Sequence, residues 1–109
     1  SKDKTFGPVL MFGLGGVFVE LFKDVAFATC PVSPARARAI IAKTKAQEWL
    51  KGFRGEPEYD MEALVEAIVR ISQFAAHHAD RLVEMDVNPV RVLPKGEGVV
   101  ALDAVLVVE

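Results

Sequence analysis

The run Glu84-Met85-Asp86-Val87-Asn88-Pro89, with Leu102-Asp103 further on, concentrates the residues of this chain that could do chemistry. Two carboxylates and a carboxamide stand at alternate positions of what reads as an extended segment. A strand sends alternate side chains to the same face, so Glu84, Asp86 and Asn88 point one way while Val83, Met85 and Val87 point toward a core. Three oxygen-bearing side chains on one face make half of a site for a hard cation. Mg²⁺ takes oxygen ligands, commonly one or two protein carboxylates, and leaves its other positions to water and nucleotide phosphates. The same alternation is what any half-solvated strand shows, so the run by itself suits a metal face and a solvated face alike.

Other candidates are weaker. The glycines of Gly13-Leu14-Gly15-Gly16 could cradle phosphates through bare backbone N–H groups, with Gly15 and Gly16 as the contact candidates. The pattern is not a dinucleotide fingerprint, because its third glycine would fall at Phe18, and it lacks the Lys-Ser/Thr pair of a Walker loop. A hairpin turn is the plainer reading. Glu20 interrupts an apolar run, and Arg54 lies near glycines where a guanidinium could hold an anion; an edge carboxylate and a surface arginine are the ordinary alternatives. His77 and His78 close a helix, where cations are favoured, and no partner stands at zinc-ligand spacing. Trp49 reads as a core or interface anchor, and Cys30 as a small buried or loop thiol. No nucleophilic triad, Cys-His pair or kinase signature is present, so no catalytic residue is assigned.

The elements that must position these residues follow from periodicity. The sequence predicts strands over Val9–Phe12, Val17–Phe22 and Val25–Ala28, with a loose polar start. Ser33-Pro34 opens a helix with Ala37, Ile40 and Ile41 on its buried stripe, and a short helix covers Ala46–Leu50. After a loop over Gly52–Pro57, Asp60 caps the clearest helix, whose Met61, Leu64, Val65, Ile68, Ile71 and Ala75 recur at helical spacing. Two extended runs, 83–93 and 99–108, are joined by Lys95-Gly96-Glu97-Gly98 as a hairpin, which brings Asp103 beside the Glu84–Asn88 strand. The order strands, helices, strands implies an α+β fold, mainly antiparallel, with helices on one face of the sheet.

Composition sets outer bounds. At 109 residues the chain suffices for one compact unit with a modest core. Its net charge of −2, without Lys/Arg runs among aromatics, argues against nucleic-acid binding. No apolar stretch reaches the about 20 residues of a membrane span, and no signal peptide is visible. A single cysteine allows no internal disulfide and fits a cytoplasmic location.

Five blocks taken in order resemble the C-terminal part of the ATP-grasp module of the ADP-forming acyl-CoA synthetases. They are Phe6-Gly7-Pro8-Val9 after Asp3, Met11 to Glu20 with Lys23-Asp24-Val25, Gly52-Phe53-Arg54-Gly55 with Pro57 and Asp60, Glu84 to Pro89, and Ala101 to Ala104. The resemblance covers nearly the whole chain. It implies an ATP-grasp C-terminal subdomain over residues 1–109, with Mg²⁺ and ATP/ADP as cofactors. It places the metal site at Asn88 and Asp103 with Asp86 close by, and Glu84 at one remove. The implied reaction interconverts acyl-CoA, ADP and phosphate with acid, CoA and ATP through a phosphorylated histidine. Neither His77 nor His78 falls where that histidine belongs. The implied partners are an N-terminal ATP-grasp subdomain, carrying the nucleotide-holding lysine and adenine pocket, and CoA-binding and ligase domains. The chain therefore reads as part of a longer enzyme, inactive alone. Synthetase-like regions fused to protein lysine acetyltransferases, where they sense ligands, give the alternative reading.

Overall fold

The computed structural model describes residues 2–3, 7–13, 24–52 and 55–109. Gly15, Gly16, Glu20, Arg54 and the expected strand over 17–22 lie outside them. Strands β1 (Lys2–Asp3), β2 (Gly7–Gly13) and β3 (Val25–Thr29) form one antiparallel sheet in that order. The start of the chain, expected to be loose, thus contributes a short strand that pairs Lys2 with Pro8 and Asp3 with Gly7. The sequence suggested a turn directly after Phe12. The strand runs one residue further, through Gly13, and β2 pairs with β3, Val9 opposite Thr29 through Gly13 opposite Val25.

Helix α1 (Pro34–Ala42) starts where expected. Ser33 caps it by accepting from Arg36 N at 3.1 Å, and proline suits the first turn because its missing N–H has no helical partner there. Thr44 then relays the chain into α2 (Ala46–Leu50): its hydroxyl donates to Ile41 O and accepts from Ala46 N. The short helix ends at Gly52, whose φ of +80° suits only glycine, and an added Cβ would stand 2.7 Å from Pro57 O. Helix α3 (Met61–His77) is the longest described element. The core forms where α1 and α3 cover β2 and β3: Ile40, Ile41, Ala37, Leu64, Val65 and Ile68 pack with Ala26, Ala28 and Val32, backed by Leu10 and Phe12. Arg38 and Glu62 pair across the outer edges of the two helices.

One core residue breaks the apolar pattern of α3. Ser72 is fully buried, and its hydroxyl accepts from Val32 N at 2.8 Å and donates to Val69 O at 2.7 Å. Val32 follows β3 and has no strand partner, so the serine satisfies a buried N–H that would otherwise be costly. Trp49, expected as a core or interface anchor, is 52% exposed on the five-residue α2 and so is not part of this core.

Ile40 and Ile41 are completely buried at the centre of this core. Truncating Ile41 to Ala should cost about 2–5 kcal/mol. Against a typical total of about 5–15 kcal/mol, that is a large fraction, and a chemical-denaturation midpoint will register it. A cost below about 1 kcal/mol would mean that the site collapses freely.

The two C-terminal runs each divide. Strand β4 (Leu82–Val87) pairs with β7 (Ala104–Val108), and β5 (Val90–Val92) pairs with β6 (Val99–Ala101), all antiparallel. The interruption falls at Asn88-Pro89 on one side and Leu102-Asp103 on the other, where Pro89 has no N–H to give a ladder. The sequence expected Val83, Met85 and Val87 to enter a core. Val83 is instead 39% exposed, and Met85 and Val87 are half-buried. The register shifts between Leu82 and Glu84, which carries Leu82 rather than Val83 inward. Strand β7 is exposed along its length, with Val105 at 52% and Val108 at 56%.

Candidate functional site

The hairpin brings the separated acidic segments together. In the β4–β7 ribbon, Glu84 stands opposite Val107, Asp86 opposite Val105 and Val87 opposite Ala104. One step beyond the ladder, Asn88 N donates to Asp103 O at 3.1 Å. On the β5–β6 side of the junction, Leu102 N donates to Pro89 O at 2.9 Å. Asn88 and Asp103 are therefore cross-strand neighbours where the two ribbons meet. By the two-residue period of a strand, Glu84, Asp86 and Asn88 share one face, with Val105 and Val107 across from the carboxylates. Alternate residues of a strand are about 7 Å apart, so Asp86 lies one such step from Asn88. The face is half acidic and half apolar, rather than polar throughout.

Asp86, Asn88 and Asp103 are all exposed. The Asp103 carboxylate is oriented by the next residue's backbone: Oδ1 accepts from Ala104 N at 2.9 Å. A carboxylate has about four lone-pair sites, so this bond fixes direction and leaves acceptor capacity. Among the described residues no group of three or more His, Cys, Asp or Glu side chains is placed to hold a metal. Asn88 and Asp103 thus offer one neutral and one anionic oxygen donor. That set is too small for a closed protein cage and suits a cation that keeps water and phosphate ligands. The donor chemistry fits Mg²⁺ and offers nothing to a thiophilic metal.

The histidines stay out of this arrangement. His77 and His78 end α3 at the surface, where the His78 ring stands 4.5 Å from that of Phe74. Cys30 is a half-buried free thiol whose pKa burial pushes up, which disfavours the nucleophilic thiolate.

Asp60 does more than the sequence indicated. Its Oδ1 caps α3 by accepting from Ala63 N at 3.1 Å. Its Oδ2 accepts from Gly96 N at 3.1 Å and Gly98 N at 2.8 Å, in the turn between β5 and β6. The cap was legible from spacing. The second role was not, because nothing local says which acceptor a turn 36 residues away will find. The Ala63 N–H, then the Gly98 N–H, hold the carboxyl below the usual carboxylate range; desolvation works against them, and Gly96 and the Lys95 charge add to the lowering.

A depressed folded pKa has a definite consequence for acid stability. An unfolded aspartate titrates near about 4. The contribution of Asp60 is fully present above that value and is lost as pH falls through the lower folded pKa. The denaturation midpoint should therefore decline in acid below about pH 4, and Asp60→Asn should flatten that limb. An unaltered acid limb in the variant would assign the decline to other carboxylates.

Comparisons with known proteins agree on one family. Residues 1–108 match the family described as ATP-grasp domain. The chain is 43% identical, over all of its 109 residues, to the beta subunit of acetate–CoA ligase [ADP-forming] II of Pyrococcus furiosus, and spans 46% of that subunit. It is 45% identical over 101 residues, 93% of its length, to 4-hydroxybutyrate–CoA ligase [ADP-forming] of Nitrosopumilus maritimus, spanning 14% of that protein. Among solved structures, a Pyrococcus horikoshii protein superposes with a TM-score of 0.91 at 39% identity, covering 100% of this chain and 46% of that one. The acetyl-coenzyme A synthetase 1 of Candidatus Korarchaeum cryptofilum, in complex with coenzyme A and Mg-AMPPCP, superposes with a TM-score of 0.84 at 42% identity, covering 99% of this chain and 49% of that one. The chain thus spans less than half of each of these proteins.

Proposed function

The chain belongs to the ATP-grasp domain family, and from that premise we propose that it is the phosphate- and Mg²⁺-facing part of an ADP-forming acyl-CoA synthetase. The reaction of the whole protein interconverts acyl-CoA, ADP and phosphate with acid, CoA and ATP. The observation that carries this reading is the junction of the two ribbons, where Asn88 and Asp103 become cross-strand neighbours. The Korarchaeum protein that matches over 99% of this chain is described in complex with Mg-AMPPCP, which supports the same ligand class here.

In this reading Asn88 and Asp103 hold the cation, and Asp86 adds negative charge one strand step away. Bound Mg²⁺ supplies neutralisation of the charge on the transferring phosphoryl group. The chain's own part is placement. The hydrogen bond from Ala104 N holds the Asp103 carboxylate in one direction, and the Asn88 N to Asp103 O bond keeps the two donors on adjacent strands. Gly15 and Gly16, between β2 and β3 in sequence, are assigned to phosphate contact through their backbone N–H groups. No side chain of this chain is assigned a covalent or proton-transfer role.

The remaining ATP-grasp subdomain and the CoA-binding and ligase domains are the proposed partners. No described helix is long and apolar enough to cross a membrane. The free thiol of Cys30 suits the reducing cytoplasm as the site of action. Turnover of the full protein measured against Mg²⁺ concentration, with Asp103→Asn beside the parent, tests the proposal.

A further inference from the structure

The Asn88–Asp103 junction lies at one end of a continuous two-stranded path, and Asp60 lies at the other. From the junction the path runs through Leu102 N to Pro89 O, then the pairs Val90–Ala101, Arg91–Val100 and Val92–Val99, to Leu93 N on Gly98 O. At that far end the turn is tied to the start of α3. Gly98 N and Gly96 N donate to Asp60 Oδ2, Asp60 N donates to Leu93 O at 2.8 Å, and Lys95 N donates to Glu58 O at 2.9 Å. Both glycines have φ near +90°, at +89° and +91°, and the N–H groups on either side of Glu97 meet at one carboxylate oxygen.

Packing alone does not fix the hairpin. Val92 and Val99 touch the core, but Val100 is 43% exposed and Leu102 60% exposed. An open cavity of about 290 Å³, lined by Ala63, Glu66, Ala67, Arg70 and Val99, lies between α3 and β6. Two backbone bonds and the Tyr59–Pro94 bridge also tie the hairpin to the segment before α3, and the Asp60 carboxylate is the group that engages the glycine N–H groups of the turn itself.

We infer that Asp60 is a positioning residue for the Asn88–Asp103 pair: by clamping the hairpin turn to the first turn of α3, it sets where the other end of the hairpin presents the two oxygen donors. The inference rests on the reading of that pair as Mg²⁺ ligands. Asp60 touches neither donor and acts through the β5–β6 ladder.

Asp60→Asn separates its two jobs. The amide oxygen still accepts from Ala63 N, while the amide NH₂ now faces the Gly96 and Gly98 N–H groups, donor against donor. Asp60→Ser also keeps the cap and withdraws from the turn, and serves should the asparagine variant fail to fold. Ile40→Val, in the core and away from the clamp, is the control for stability alone. In the full protein, the Mg²⁺ dissociation constant read by titration calorimetry with a non-hydrolysable ATP analogue, and with it the Mg²⁺ concentration giving half-maximal turnover, should rise roughly 10-fold in both Asp60 variants, the low end of what displaced supporting contacts cost a metal site. Ile40→Val should lower the melting temperature and leave that concentration unchanged. If Asp103→Asn shifts the Mg²⁺ requirement and the Asp60 variants do not, the positioning role is overturned and the ligand reading stands. If Asp103→Asn itself leaves the requirement unchanged, the ligand reading falls and takes this inference with it.

Discussion

Asp103→Asn in the full protein should cut Mg²⁺-dependent turnover by about 100-fold or more, because several kcal/mol of metal-borne charge stabilisation is at stake and each 1.36 kcal/mol is tenfold. The substitution keeps size and shape and retains an Oδ1 that can accept from Ala104 N, so the local turn survives. What disappears is the one negative charge of the Asn88–Asp103 pair. The residue is exposed, and melting should change by no more than about 2 °C. The loss should be partly recovered at high Mg²⁺, as expected when a ligand rather than a fold is damaged. Asp86→Asn, one strand step away, should give a smaller loss with the same Mg²⁺ signature. Unchanged turnover and Mg²⁺ dependence in a folded Asp103→Asn protein would return Glu84, Asp86 and Asn88 to the status of a solvated strand face.

The parts of this site that were readable in the sequence are those set by short-range rules. Helical periodicity found α3 and most of its buried stripe, and Ser33 and Asp60 announced their helices by type and position. The Lys95–Gly98 turn announced the hairpin, and with it the meeting of Asn88 and Asp103. What was missed depends on contacts between distant segments. Ser72 looked like an ordinary member of α3 until Val32 N was placed beside it. The second function of Asp60 exists only because a glycine turn far along the chain meets it. The bulge between Leu82 and Glu84 changed which residue at the start of β4 faces inward, while the alternation from Glu84 onward kept its expected sense.

The 109-residue chain, purified alone, should give no acyl-CoA-dependent ATP formation above a blank, while the full protein turns over. The argument is geometric. Asn88 and Asp103 lie on an exposed ribbon rather than in a closed cleft, and phosphoryl transfer depends on donors held in a site from which water is excluded. The chain spans 46% of the Pyrococcus furiosus subunit and 49% of the Korarchaeum chain that it matches, so over half of each relative has no counterpart in it. The ribbon shows the same deficit from its own side. A two-stranded hairpin is marginal in water unless something packs on it, and every residue of β7 is exposed. Backbone amides of β4 and β7 should therefore exchange quickly with solvent in the isolated chain and slowly in the full protein, while those of α1 and α3, around Ile40, Ile41 and Ile68, stay protected in both. Turnover by the isolated chain would show that these 109 residues suffice. Equal protection of β4 and β7 in the two preparations would show that the ribbon is stable without a partner, and the open geometry would then be the working state of the site.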